Sequence, residues 1–255
     1  MTTCIAVYLG SAIVALIVTP LVIRVAKRVG AVDRPGVRTI HERPIPRIGG
    51  VAIFVAATSL IVAVLWVDNA IGDAFRANRL QMMTLLTSAT FIFLVGLVDD
   101  LRGLPARVKF GVEVLAAVAL CAAGIRIKSI GLTGDFSLPL GVAGYLLTVL
   151  WVVGVTNAVN LSDGLDGLAA GIGAIACGVI AVLAIHRDSA IMAILALALA
   201  GSLSGFLVFN FNPAKIFMGD CGSLFLGYVI AASSVMCLTT SSALVGLALP
   251  ALALG

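Results

Sequence analysis

The chain has 255 residues, of which 61% are hydrophobic and 11% charged, with a formal net charge of +4. Soluble domains carry roughly a quarter charged residues, so this composition excludes a water-soluble globular protein, a disordered tail and a secreted disulfide scaffold. The positive charges sit in short stretches between apolar runs, a pattern of membrane topology in which no nucleic-acid partner is expected.

Taken in order, the apolar runs predict an all-α polytopic membrane protein with eight complete transmembrane helices, at 4–23, 48–67, 80–98, 110–123, 138–154, 168–185, 190–209 and 223–238. A ninth begins near Ser242 and is cut short. The first run has no basic segment ahead of it and a strongly basic one behind it, which marks a retained span rather than a signal peptide. The fourth is short and carries Glu113. Five scattered cysteines (Cys4, Cys121, Cys177, Cys221 and Cys237) lack metal-ligand spacing and read as small packing residues.

Eight spans place alternate loops on one face. Arg24, Lys27, Arg28, Arg34, Arg38, Arg43, Arg47, Arg102, Arg107, Lys109 and Lys215 share that face, 11 of the 16 basic residues, so it is expected to be cytoplasmic with the N-terminus outside. The same face collects Asp33, Glu42, Asp99, Asp100, Asp163, Asp166 and Asp220. Five of these seven lie at the ends of apolar runs, where a charge is costly without a partner or a task.

Four stretches are candidates for chemistry. Gly96-Leu97-Val98-Asp99-Asp100 closes the third span. Adjacent carboxylates are tolerated against water, a basic side chain or Mg²⁺, and alone they read equally as a solvated helix end. Arg107 and Lys109 follow, as phosphate contacts or as membrane anchors. In 157–168, Asn157, Asn160, Asp163 and Asp166 recur every third residue, so a helix would turn all four toward one quadrant. That run contains no basic residue, which favours an external cation or polar substrate over an ordinary Asn/Asp/Gly turn. In 209–223, Asp220 stands just before a span, placed to cap it or to frame a metal–phosphate site with its free N–H groups. In 41–50, two prolines extend the approach to Gly49-Gly50, which lets the next helix start close to another element, and Arg43 and Arg47 suit an anionic headgroup or a phosphate. Asp and Asn oxygens suit Mg²⁺, and Mg²⁺ beside basic residues at a membrane surface points to phosphate chemistry on a substrate with one end in lipid.

These motifs resemble the polyprenyl-phosphate N-acetylhexosamine-1-phosphate transferases of glycosyltransferase family 4. "GLVDD" at 96–100, "NAVNLSDGLDGLAAG" at 157–171, "FNFNPAKIFMGDCGSLFLG" at 209–227 and "HERPIPRIGG" at 41–50 are similar to its motifs, in the family's order, over essentially the whole chain. The resemblance implies a Mg²⁺-dependent enzyme, with Mn²⁺ as the alternative cation, in a bacterial plasma membrane. It would move a sugar-1-phosphate from a UDP-N-acetylhexosamine to undecaprenyl phosphate, release UMP, and so prime a cell-envelope glycan. It further implies Asp99, Asp100, Asp163 and Asp166 at the catalytic centre, with Asp99 engaging or deprotonating the lipid phosphate. His41, Arg47, Lys109, Asn157, Asn160, Asn210 and Phe217 are then expected to bind substrate, Asp220 to ligate Mg²⁺, and Asp163 to be the second candidate ligand.

The first-loop form is similar to that of the GlcNAc-1-phosphate branch, with the phospho-MurNAc-pentapeptide transferases as the alternative. Family members carry ten or eleven spans and a late His-rich loop, whereas this chain has only His41 and His186. The expectation is therefore one transmembrane transferase domain over 1–255 that lacks the C-terminal spans and that loop. A membrane transporter and a catalytically silent fragment are the competing readings. Small-residue faces at Gly171-x-Gly173 and Gly201-x-x-x-Gly205 allow close helix packing, within one chain or in a homodimer.

Overall fold

The computed structural model describes residues 2–33, 44–66, 70–133 and 136–238. Among them lie nine helices: α1 (Thr2–Val29), α2 (Gly50–Trp66), α3 (Ala70–Ala77), α4 (Arg79–Arg102), α5 (Ala106–Ala122), α6 (Ala143–Ser162), α7 (Leu168–His186), α8 (Ala190–Asn210) and α9 (Gly219–Leu238). Two small antiparallel hairpins join them, β1 (Val32–Asp33) with β2 (Ile45–Pro46) and β3 (Ser129–Thr133) with β4 (Phe136–Pro139).

The protein is a multi-pass membrane protein of α-helices, but the expected eight spans and truncated ninth are not what the structure holds. Among the described residues six helices, α1, α4, α6, α7, α8 and α9, are long and apolar enough to cross a membrane. The second expected span is a 17-residue helix, α2. The fourth, α5, also has 17 residues and is diluted by Arg107, Lys109 and Glu113. At 1.5 Å per residue each is about 25 Å long, short of a hydrocarbon core of about 30 Å. The run expected to open the fifth span at 138 begins as strand β4, and α6 starts only at Ala143. The ninth expected span lies outside the described residues.

Local chemistry sets the helix ends that matter. α1 continues through its basic last turn, where Lys27 and Arg28 complement the helix dipole, and stops at Gly30 with φ +75°. α4 carries the Asp99-Asp100 pair into its last turn and ends at Gly103, φ +71°, whose N–H donates to the Asp99 carbonyl at 2.8 Å.

Lipid tails are as apolar as leucine, so helices in a bilayer associate by close packing rather than by hydrophobic burial. α8 packs on α1 and α7, and α9 packs on α4, α6, α2 and α7. The face bearing Gly201 and Gly205 is used within the chain: a Cβ there would lie 2.2 Å from the Tyr8 carbonyl oxygen and 2.3 Å from that of Ala12, both on α1. Phe54 stacks on Phe93 at 4.1 Å between ring centroids and meets Phe225 edge-on at 5.3 Å. That trio locks α2, α4 and α9 together beneath the ends that build the candidate site.

Candidate active site at one end of the bundle

The amino ends of α2, α5 and α9 and the carboxyl ends of α4 and α6 meet at one end of the molecule. Backbone bonds fasten the first of them. The Phe217 N–H donates to the Pro46 carbonyl at 2.8 Å, and the N–H groups of Gly49 and Gly50 donate to the carbonyls of Phe217 and Met218 at 2.9 and 2.7 Å. A Cβ on Gly50 would fall 2.2 Å from the Gly222 nitrogen, so the paired glycines do let α2 start against another element, the first turn of α9. Gly219 has φ +74°, and a Cβ there would fall 2.0 Å from the Arg47 carbonyl oxygen and 2.7 Å from Asp100 Oδ2. Only glycine meets both conditions.

The adjacent aspartates of α4 diverge, as successive residues on a helix must. Asp99 receives the Leu104 N–H on Oδ1 and Lys109 Nζ on Oδ2 at 2.8 Å. Lys109 Nζ also donates to Asp220 Oδ2 at 2.6 Å, so one ammonium bridges two carboxylates 121 positions apart in the chain. Asp100 turns the other way. Its Oδ1 and Oδ2 accept the N–H groups of Asp220 and Cys221 at 3.0 Å each, and Arg47 reaches Oδ1 at 3.5 Å. The cap of α9 is therefore Asp100, supplied from another helix, while Asp220 points its own carboxylate to Lys109.

The second acidic stretch is divided between a helix and a turn. α6 ends at Ser162, so the four polar residues do not share one helical face. Asn157 turns to α5, its Nδ2 donating to Glu113 Oε2, and Asn160 turns to α9, its Nδ2 donating to Ser223 Oγ at 2.8 Å. Asp163 is half-buried just past α6. Burial, with the charges of Asp100 and Asp220 added, pushes its carboxyl up to about 8, against the opposing pull of the Gly219 N–H. Asp166 faces the segment after α8, and its Oδ2 accepts Asn212 Nδ2 at 3.1 Å and the Ala214 N–H at 3.0 Å.

Two expected substrate contacts have positions inside the scaffold. Asn210 is 2% exposed and donates to the Ile216 carbonyl at 2.9 Å, shaping the loop before α9. Phe217 contributes its backbone to the seam with Pro46 and Gly49. Arg47, Lys109 and Asp220 are brought together with Asp99 and Asp100, whereas His41 lies outside the described residues. Sequence reasoning did not single out Ser223 or Leu104, and it left Glu113 without a partner; each acquires its contact only through folding.

Among the described residues, no three His, Cys, Asp or Glu side chains form a ready-made metal cage. Mg²⁺ is commonly held by only one or two carboxylates, with water and substrate phosphates completing the shell. Asp163 and Asp220 fit that need: ionising both beside Asp100 is unfavourable without a cation to offset the charge.

The family model described as glycosyl transferase family 4 matches residues 82–238. The chain is 41% identical to a probable undecaprenyl-phosphate N-acetylglucosaminyl 1-phosphate transferase of Bacillus subtilis, over 97% of the chain and 67% of that protein. It is 35% identical to a decaprenyl-phosphate N-acetylglucosaminephosphotransferase of Mycobacterium tuberculosis, over 89% of the chain and 58% of the relative. It is 33% identical to a phospho-N-acetylmuramoyl-pentapeptide-transferase of Staphylococcus epidermidis, over 88% and 75%. The chain thus spans between just over half and three quarters of the length of these relatives.

Proposed function

The chain belongs to glycosyl transferase family 4, and from that premise we propose that the protein transfers GlcNAc-1-phosphate from UDP-GlcNAc to a polyprenyl phosphate, releasing UMP. The observation that carries this reading is the gathering of carboxylates from α4 and α9 around Lys109 and Arg47, with Asp163 of the turn after α6 within electrostatic reach of Asp100 and Asp220. Family membership implies a divalent-cation-dependent phosphotransferase, and the relative with higher identity over more of the chain favours GlcNAc-1-phosphate over phospho-MurNAc-pentapeptide as the transferred group. Lys27, Arg28, Arg47, Arg102, Arg107, Lys109 and Lys215 lie toward the site end, and Arg76, Arg79, Arg126, Lys128 and Arg187 toward the other. That bias supports a site facing the cytoplasm across a bacterial plasma membrane.

The reaction is a displacement at the phosphorus bearing the sugar. An oxygen of the lipid phosphate forms the new P–O bond as the bond to UMP breaks. A phosphate monoester has a second pKa of about 6, so the dianionic nucleophile is abundant near neutrality without a strong base. Asp99 accordingly orients: it is buried, and both its oxygens are engaged in holding Leu104 and Lys109. Lys109 and the half-exposed Arg47 bring positive charge to the phosphates. Asp220 and Asp163 would hold Mg²⁺, which when bound supplies charge against the mutual repulsion of two phosphorylated substrates.

The test is UMP release by the complete purified protein given UDP-GlcNAc, polyprenyl phosphate and Mg²⁺. Chelation should abolish it, and Asp220→Ala should lower turnover on the order of 10²–10³-fold, the loss typical of one electrostatic group at a transition state. Undiminished turnover in that variant, or release that ignores the lipid acceptor, overturns the reading. A UDP-MurNAc-pentapeptide arm decides between the two branches.

A further inference from the structure

Glu113 belongs to none of the four motifs, yet it is 2% exposed inside α5. A carboxyl group at that depth requires a partner. Its partner is Asn157, whose Nδ2 donates both to Glu113 Oε2 and, at 2.9 Å, to the Val153 carbonyl one turn back in α6. A carboxylate and a carbonyl are both acceptors, so these two contacts decide which end of the amide is nitrogen. Both amide hydrogens are then engaged. What Asn157 retains is Oδ1, which accepts no hydrogen bond from the described residues, on a side chain that is only half-buried. Glu113 also follows Lys109 by one helical turn and lies within its electrostatic reach, which ties the pair to the Asp99–Lys109–Asp220 cluster.

We propose that Glu113 is a positioning residue that locks the Asn157 amide with its oxygen turned to ligand, so that Asn157 serves the site as an acceptor only. Its ligand is a hydrogen-bond donor: an N–H or O–H of the nucleotide sugar, or a water on the cation. Glu113 itself touches no substrate. The inference rests on the transferase reading above.

Kinetics of the complete protein in liposomes, with UDP-GlcNAc and polyprenyl phosphate, test it through three single substitutions and one double variant. Glu113→Leu removes the acceptor at similar size, Glu113→Gln keeps an acceptor oxygen without the charge, and Asn157→Leu removes the positioned group. Glu113→Leu should raise KM for UDP-GlcNAc, or the half-saturating Mg²⁺ concentration, roughly 10–100-fold, as loss of an outer-shell partner does, with a much smaller change in kcat. A rise confined to UDP-GlcNAc assigns the donor to the nucleotide sugar, and one confined to Mg²⁺ assigns it to a cation-bound water. Glu113→Gln should stay within a few-fold of wild type, and Glu113→Leu combined with Asn157→Leu should be no worse than Asn157→Leu alone. Wild-type constants in Glu113→Leu, equal impairment by Gln and Leu, or additive losses in the double variant would overturn the inference while leaving the transferase reading intact. Absence of transfer by the wild-type protein would overturn both.

Discussion

The two acidic pairs, Asp99-Asp100 and Asp163/Asp166, divide their work in the same way on different local structure. In each, one carboxylate fastens the fold: Asp100 caps α9, and Asp166 holds the 212–214 segment. The other sits among charges: Asp99 beside Lys109, while also accepting the Leu104 N–H, and Asp163 near Asp100 and Asp220. The first pair is buried in the last turn of a helix and the second lies in a half-buried turn, so the two fasteners carry unequal loads. A cluster of acids at one end of a membrane bundle is therefore not a count of catalytic groups. Some of its charge is consumed in bringing the remaining carboxylates into place.

The largest effect expected from this division is at Asp100. Asp100→Ala leaves the Asp220 and Cys221 N–H groups at the start of α9 without their acceptor and takes a contact from Arg47, a loss of about 2–5 kcal/mol at about 1–3 kcal/mol per unsatisfied donor. Thermal unfolding in detergent should show it, and normal stability would return Asp100 to the ligand-facing class.

Asp163→Asn should do the opposite, lowering Mg²⁺-dependent turnover on the order of 10²-fold while the fold persists. It should also change the pH dependence of stability in Mg²⁺-free buffer. The folded protein holds the Asp163 proton up to about pH 8, whereas an unfolded aspartate releases it near 3.8. This group's contribution is therefore fully present below pH 4 and is lost as pH rises toward 8. Unfolding curves across that window should show a slope in wild type that the asparagine variant reduces; identical slopes would contradict the burial of Asp163 beside its acidic neighbours.

The smallest effect is expected at Asp166. Asp166→Ala removes two hydrogen bonds at a partly exposed site, for about 1–2 kcal/mol of stability. Its turnover should fall less than that of Asp163→Asn; a larger fall would make Asp166 a ligand-facing group.

Much of the site was legible in the chain. The Gly49-Gly50 pair signals a close approach, and Gly50 makes one against Gly222. Asp99, Asp100, Lys109 and Asp220, which stand in separate motifs of the chain, converge. Helix ends were less legible because they depend on caps rather than on apolar content: α4 reaches Arg102 and α1 reaches Val29, each beyond its hydrophobic run. The β3–β4 hairpin is not among the expected elements, and its second strand overlaps the opening of the expected fifth span. The expected number of spans exceeds the six found among the described residues, since two apolar runs form helices too short or too charged to cross a membrane.

Composition and apolar run length by themselves determined that this is a helical membrane protein, and residue type marked the carboxylates, amides and basic side chains that collect at the ends of its apolar runs. Those are properties of windows of about 20 residues, in which each residue's preference for lipid or water acts independently of the rest of the chain. Tertiary structure alone decided that Asp100 caps a helix beginning 119 residues later, that one lysine bridges Asp99 and Asp220, and that Glu113 meets Asn157. Such contacts depend on which helices the small residues allow to touch, and at what depth, and no local preference encodes either.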